Sequence, residues 1–419
     1  MVPGRIAGEI EAQRALLRSP AGRVLAAGLG ALALVTIIGM AILWPGGVRG
    51  QVRSPDIVAI GIQPATVTAV TGRTCPVETL PGCARVDFRL TGGLDAGRSS
   101  YLVMPGDEAA PRLSPGDEIR VAPNTAAFGT APPSQEPAGA DPAQAPYGFV
   151  DFERRGSLLW LALAFVAVVV LLGRRVGALS LVGLVAGLVL ITAFVVPAIL
   201  NGSPPLAVGL VGSFAAMFVT IVLVYGVGAK SLAALLGTAA SLAVTAVLAV
   251  IFVKAAHLLG GTSEDASIVH SLGGGNLVSL QGLVLAGILI GALGVLNDVT
   301  VGQASTVLAL QRANPVQRFG ELYRGAVSVG RDHLGAAVNT LAFAYAGASL
   351  PLLLIFSSQG LTFGAAINRQ DVATEIVAAL VGSIGLILAV PITSATAAWL
   401  AVRLPAAALP ADEHAGHRH

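Results

Sequence analysis

The polar side chains best able to do chemistry lie inside two long apolar stretches of this chain. The first, Leu293–Leu310, reads LGVLNDVTVGQASTVLAL and carries the carboxyl group of Asp298. Asp298 and Ser305 are seven residues apart, so on a helix they share one face. An ionisable group inside a membrane helix costs roughly 2.5–3.5 kcal/mol on insertion scales, and it therefore tends to face a bundle interior or an aqueous path. The candidates for such a path are Asn297, Asp298, Gln303 and Ser305.

A second interpretation of this stretch remains open. The apolar helix can instead end at Leu296, in which case Asp298 begins a helix on the membrane surface. Apolar periodicity alone does not place the boundary, because apolar residues continue as far as Leu310.

The second stretch, Val329–Phe356, carries polar residues at helical spacing. Asp332 and Asn339 are seven residues apart, as are His333 and Thr340, which predicts a polar stripe along one helix. We expect the Asn and Thr side chains to pack against other helices or line a path rather than face lipid. The alternative for the charged end is that Asp332 pairs with the arginine before it at the interface. The candidates here are Arg331, Asp332, His333, Asn339, Thr340 and Tyr345.

The composition says what kind of protein must position these groups. Apolar residues make up 54% of the 419 and charged residues 11%, whereas soluble domains carry about 45–50% and about 25%. The segment 157–311 holds only seven charged residues and the segment 334–402 only three. Such a chain is a multi-pass membrane protein, which excludes the collagen-like, disordered, coiled-coil and nucleic-acid-binding classes. A net charge of +2 is too small to imply a polyanionic partner.

Eight apolar runs are candidates for membrane crossings, since a helix needs about 20 residues to cross a hydrocarbon core about 30 Å thick. We therefore predict an all-α polytopic membrane bundle of about eight transmembrane helices, with a small extracytoplasmic β-rich domain between helices one and two. The predicted spans are Val24–Trp44, Ser157–Leu172, Val176–Leu200, Leu206–Tyr225, Ser231–Val253, Leu277–Leu296, Gly335–Phe356 and Ala373–Ala401.

The distribution of basic residues predicts the orientation. If the N terminus is cytoplasmic, the short cytoplasmic segments collect thirteen arginines and lysines, and the short outer loops hold only Lys254 and Arg369. The first apolar run is longer than the apolar region of a signal peptide and no A-x-A site follows it, so we expect a retained anchor. The predicted location is the bacterial cytoplasmic membrane, with both termini in the cytoplasm.

Five segments are predicted along the chain. They are a cytoplasmic N terminus with the anchor helix (1–45), an extracytoplasmic β-rich domain (46–123), a linker rich in Pro, Ala and Gly (124–156), a seven-helix membrane domain (157–404) and a His-containing cytoplasmic tail (405–419). Short β-like runs separated by Gly, Pro and Asp predict a small antiparallel barrel or sandwich. The runs are 58–62, 66–70, 85–90, 101–104 and 118–121.

The only two cysteines, Cys75 and Cys83, lie in this β-rich domain. Outside the cytoplasmic membrane they favour a disulfide, and two unpaired thiols are the alternative. Three histidines in the last six residues could bind a metal weakly, but a solvated tail is the better interpretation. We expect no catalytic residues, no cofactor and no metal site.

Several polar-in-apolar strings resemble the YibE/F-like family of polytopic bacterial membrane proteins. They are GALGVLNDVTVGQAS (Gly291–Ser305), GRDHLGAAVNTLAFAYAGASLPLLL (Gly330–Leu354) and LVGSIGLILAVPITSATAA (Leu380–Ala398). The resemblance covers roughly residues 157–404 and extends more loosely to the anchor and the β-rich domain. It implies a multi-span protein of the kind usually described as a transporter or permease, and it supplies neither a substrate nor a set of functional residues.

Two functions compete. The first is a permease or ion-coupled transporter of an unknown small solute or ion, with its polar path on predicted helices six and seven. Glu375 near the outer end of span eight, and Pro391 followed by Thr393 and Ser394, indicate a polar helix that can kink, as transporter helices often do. The second is an envelope assembly or sensing scaffold, whose β-rich domain binds an envelope protein. Beyond the lipid bilayer, a homo-oligomer is a further candidate partner and nucleic acid is not.

An intramembrane enzyme is the least favoured class. Asp298 and Asp332 could form an aspartyl pair, but the surrounding GVLND and VGRDH lack the Gly-x-Gly-Asp of intramembrane aspartyl proteases. Neither a G-x-S-x-G nor an H-E-x-x-H motif occurs.

Overall fold

The computed structural model describes residues 13–46, 61–72, 84–93, 95–104, 111–124, 145–260, 279–358 and 360–404. The chain divides into two compact units. One comprises Met1–Val52 with Val169–His419, and the other comprises Arg53–Val168. Cys75 and Cys83 lie outside the described residues, so their predicted disulfide stays a prediction.

The smaller unit contains a closed five-stranded barrel with the strand order β1-β2-β3-β5-β4. Strand alternation builds its core: in β2 the side chains of Val86, Phe88 and Leu90 point inward and are buried. Neighbouring strands are antiparallel except β3 and β5, which are parallel. The strands are β1 Gln63–Gly72, β2 Ala84–Leu90, β3 Ser99–Met104, β4 Glu118–Pro123 and β5 Tyr147–Phe152.

Strand β5 lies within the segment 124–156, for which the sequence predicted a linker. Tyr147 is only 5% exposed and packs edge-to-face on Phe88 with the ring centroids 5.5 Å apart. The strand sequence YGFVDF is only six residues long and follows a Pro- and Ala-rich run. The composition of the whole segment therefore predicted a linker and no strand. The barrel closes only because this strand pairs with both β3 and β4.

The remaining elements are helical. A π-helical turn, Ile191–Val195, joins two of the helices. The helices of the described chain are α1 Pro20–Leu43, α2 Arg155–Leu190, α3 Val196–Leu200, α4 Pro205–Tyr225, α5 Ala229–Ala255, α6 Leu280–Ala313, α7 Phe319–Ala348, α8 Leu350–Ser358, α9 Phe363–Ile367 and α10 Gln370–Ala401.

Among the described residues, six helical stretches are long and apolar enough to cross a membrane, or seven if α7 and α8, bent by 55°, count as one span. The chain is therefore a multi-pass membrane protein by these criteria, with six or seven crossings where the sequence predicted eight. The count differs because predicted spans two and three fall within one stretch of 46 residues, Arg155–Leu200. That stretch is interrupted at Arg174, whose backbone is not helical (φ 48°, ψ −129°).

Helices α5, α6 and α10 form the centre of the bundle, and α5 and α10 meet through two reciprocal contacts. Gly237 of α5 lies against Thr393 of α10, and Gly385 of α10 lies against Thr245 of α5. On each helix the glycine precedes the threonine by eight residues, and each glycine faces the threonine of the other helix. The two helices must therefore run antiparallel. A Cβ at either glycine would collide with the facing threonine hydroxyl. Glycine is required here by close approach, as in other membrane helix pairs.

Candidate functional site

Helix α6 continues without a break from Leu280 to Ala313, so it does not end at Leu296. One side of this helix is uncovered by the rest of the described chain. Between Gly287 and Gly302 the exposed residues follow one another at intervals of three or four, which places them on a single face. We call this the open face of α6, and its members are Gly287, Gly291, Gly294, Asp298 and Gly302.

Helices α4 and α7 pack on either side of the open face. Gly209 of α4 lies against Ala286, so the two helices start at the same level. On the other side, Val295 lies in one apolar cluster with Leu334 of α7. At about 100° per residue, Ala286 and Val295 flank the open face from opposite directions. The open face is therefore the floor of a groove between α4 and α7, which we call the α6 groove.

Two tyrosines reach the α6 groove from its walls. The Tyr345 hydroxyl of α7 lies 3.3 Å from the position that a Cβ at Gly291 would occupy. Tyr225, the last residue of α4, lies within electrostatic range of the Asp298 carboxylate. The absence of a side chain at Gly291 gives the Tyr345 phenol room.

A charged residue stands beyond each tyrosine. The Lys230 ammonium nitrogen at the start of α5 lies 4.1 Å from the centre of the Tyr225 ring, a cation–π contact. At the opposite end, Glu375 of α10 lies within electrostatic range of Tyr345. These interactions link Lys230 with Tyr225 and Tyr225 with Asp298, and separately Tyr345 with Glu375.

Gln303 does not belong to this groove. It is 5% exposed, and its amide nitrogen donates to the Ala326 carbonyl of α7 and to the Ser394 hydroxyl of α10, both at 2.7 Å. Gly330 of α7 leaves the space that the Gln303 side chain fills. Gln303 therefore ties α6, α7 and α10 together, and its predicted place on a path stays a prediction.

The remaining polar residues of α6 are satisfied within the bundle or lie at its edge. The hydroxyls of Thr300 and Thr238 of α5 are 2.6 Å apart and both residues are completely buried. Ser305 is half-buried, and its hydroxyl donates to the Val301 carbonyl one turn back. The Asn297 side-chain oxygen is buried and has no hydrogen-bond partner among the described residues.

The polar stripe of α7 lies on the outside of the helix. Asn339 is on the side opposite Gly330 and Leu341, which are buried, so it points away from α6. Thr340 is also exposed, and its hydroxyl donates to the carbonyl of Ala336 in its own helix. In the described chain neither side chain packs against another helix, and the other expected role, lining a path, stays a prediction. The outer side of α7 has no covering element there.

The charged start of the stripe is exposed as well. Arg331, Asp332 and His333 are all exposed. In the described part of the chain no ion pair joins Arg331 to Asp332, so the simple pairing considered from the sequence is not observed. Of the predicted site residues, Asp298 and Tyr345 are brought to one groove, whereas Asp332 and Asn339 belong to another surface.

Sequence reasoning missed Tyr225 and Lys230. An aromatic residue at the end of an apolar run followed by a lysine is typical of the membrane interface, and this pattern gives no sign of a neighbour on α6. For Glu375 the sequence predicted a polar position in the last span and no link to Tyr345. Within the described residues, no group of three or more His, Cys, Asp or Glu side chains is placed to hold a metal ion.

Comparison with known proteins places the bundle in a family. The YibE/F-like protein family matches the chain over residues 161–403, which is more than half of its length and includes every helix that contributes to the α6 groove. No curated protein and no solved structure matches the chain. The chain belongs to the YibE/F-like protein family.

Proposed function

We propose that this protein is an ion-coupled permease whose ion path follows the α6 groove. The observation that carries the proposal is the exposed carboxyl group of Asp298 in the middle of an apolar helix. At about 1.5 Å per residue, the 34 residues of α6 extend over about 51 Å, and Asp298 lies about 27 Å from the first of them. A hydrocarbon core about 30 Å thick, centred on this helix, includes that position.

A carboxyl group at this depth needs water or a polar partner. Ionisable residues inside membranes face bundle interiors or water-filled cavities, because exposure to lipid costs several kcal/mol. The α6 groove offers Asp298 such surroundings, since the phenols of Tyr225 and Tyr345 and the glycine floor lie along it. Carboxyl and phenol oxygens suit a proton or a small monovalent cation. Lys230 and Glu375 then mark the two ends of the path.

The proposed topology keeps the eight crossings and the cytoplasmic termini. In it, Arg174 divides α2 so that residues 155–173 and 175–200 each cross the membrane. At about 1.5 Å per residue these segments are about 28 Å and 39 Å long, enough for a hydrocarbon core about 30 Å thick. The pair Arg174 and Arg175 then lies in the cytoplasm, in keeping with the positive-inside rule. The barrel lies on the extracytoplasmic side in this arrangement.

The test is ion flux into liposomes that contain the purified protein. We expect proton or sodium uptake under an imposed membrane potential, and a fall of about tenfold or more in Asp298→Asn, because the only ionisable group on the groove floor is lost. The matched control is Asp332→Asn, the same substitution on the outer side of α7, which should keep most of the flux. Wild-type uptake no faster than in protein-free liposomes, or equal uptake by Asp298→Asn, would contradict the path.

A further inference from the structure

We infer that α7 pairs with the α7 helix of a second copy of this chain, along its outer side. Fifteen of the 21 residues from Ser328 to Ala348 are exposed, and six of them recur at intervals of four and three, the a and d spacing of a helix-to-helix seam. Four of them are small and two are polar. The seam residues are Ser328, Asp332, Gly335, Asn339, Ala342 and Ala346.

The centre of this seam lies at membrane depth. Leu341, two residues after Asn339, packs against Gly382 of α10, where a Cβ would come 3.3 Å from the leucine side chain. Gly382 is the thirteenth of the 32 residues of α10, about 5 Å from the midpoint of that helix. Asn339 is therefore near the middle of the bilayer, at a depth where an amide facing lipid is unfavourable.

The seam residues fit one another. Glycine and alanine at d and a positions let two helices approach closely, which is how membrane helices associate without a hydrophobic driving force. An asparagine amide both donates and accepts, so two Asn339 side chains facing across a twofold axis can satisfy each other. A single asparagine at an a position also favours the paired state in soluble coiled coils.

The charged end of the seam is self-complementary. In a parallel pair, the residue before each a position borders the hole that receives the a side chain of the partner. Here Arg331 precedes Asp332, so each Asp332 carboxylate would lie beside the partner copy's arginine as well as the partner's carboxylate. Both copies have the same orientation in the membrane, so the helices are necessarily parallel and this pairing applies. Charge complementarity and depth together favour a second copy over a lipid-facing surface.

Cysteine cross-linking in membranes tests the contact directly. In the full-length chain with Cys75 and Cys83 changed to serine, Ala342→Cys should form a disulfide-linked dimer on mild oxidation. The matched control is Ala240→Cys, an exposed alanine of α5 on a helix that is not part of the seam. Cross-linking that is no stronger at residue 342 than at residue 240 would overturn the inference, as would capture of a different protein at residue 342.

A second measurement does not depend on cysteine chemistry. Single-molecule photobleaching of the labelled protein in liposomes should show dimers, and Ala342→Leu should raise the dimer dissociation constant about fivefold or more by forcing the helices apart. Ala240→Leu should leave it unchanged. A wild-type protein that stays monomeric overturns the inference. Rapid modification of Asn339→Cys by a membrane-impermeant thiol reagent also overturns it, because that result would show water at the seam.

Discussion

Gln303 and Asp298 lie in one helix and five residues apart, yet they experience opposite surroundings. The Gln303 amide is buried and bonded to α7 and α10, while the Asp298 carboxyl group is exposed on the groove floor. The sequence predicted both as path residues, because polar residues in an apolar span attract the same interpretation. What distinguishes them is which side of α6 the neighbouring helices cover, and that depends on contacts such as Gly330 with Gln303.

The Gln303–Ser394 hydrogen bond should contribute to stability. Gln303→Leu removes the donor and leaves the Ala326 carbonyl without its extra partner, so we expect a loss of about 1–3 kcal/mol in the free energy of unfolding. The measurement is a double-mutant cycle with Ser394→Ala, in which the free energy of unfolding of each variant is measured in detergent. Coupling of about 0.6–1.7 kcal/mol is expected for an interhelical hydrogen bond in a membrane protein. Strictly additive effects would show that the two side chains do not interact.

A titratable pair in the barrel unit gives a pH-dependent prediction. The hydrogen bond from Arg154, together with the Phe152 N–H, lowers the pKa of Asp151 below its ordinary value of 3.8. Its charged form is therefore favoured in the folded state. The resulting stabilisation is present above pH 3.8 and is lost as the pH falls through the lowered pKa.

The check is a carboxyl-carbon NMR titration of Asp151 in wild type and in Arg154→Ala. The substitution should move the pKa of Asp151 back up towards 3.8, because the largest cause of its lowering is removed. Asp151 titrating identically in both proteins would count against the pairing. The remaining bond from the Phe152 N–H, 2.8 Å long, should keep a smaller part of the effect.

At the scale of elements, apolar run length predicted most of the helices, and interruptions of the runs were the difficulty. The first, fourth, fifth and eighth predicted spans correspond to α1, α4, α5 and α10. The end of α6 could not be predicted, because Asn297 and Asp298 interrupt an apolar run without interrupting the helix. The interruption between predicted spans two and three was placed at residues 173–175, and the backbone is not helical at Arg174 within that gap. Strand β5 was not predicted, because its pairing with β3 and β4 stabilises it and its own composition gives little strand signal.

The α5–α10 contact should be intolerant of even one added methyl group. In Gly237→Ala the new Cβ would collide with Thr393, so we expect the free energy of unfolding to fall by about 1–3 kcal/mol through overpacking. Gly294→Ala is the matched control, since no atom lies within 4 Å of a Cβ there. That variant should be unchanged or up to about 1 kcal/mol more stable, owing to the better helix propensity of alanine. Thermal unfolding in detergent compares the two, and equal stability would contradict the close approach.

At the scale of the whole molecule, two compact units share one chain, and the number of crossings decides which side each loop occupies. Reporter fusions test the proposed topology. An alkaline phosphatase fused after Asn124 should be active and one fused after Arg175 inactive, because the enzyme folds only outside the cytoplasm and basic loops stay inside. A fluorescent protein fused at the same points should give the reverse pattern. Phosphatase activity after Arg175 would show that α2 and α3 cross the membrane differently.

The reciprocal glycine–threonine contacts between α5 and α10 also constrain how this family can diverge. In each contact a glycine, which has no side chain, faces a threonine, which is branched at Cβ. The summed side-chain volume at the two positions is therefore fixed by the close packing of the helices. A relative that acquires a larger residue at position 237 must acquire a smaller one at position 393, and the same holds for 385 and 245. Substitutions at these four sites should therefore appear as correlated exchanges in evolution, although the sites of each pair are more than 130 positions apart in the chain.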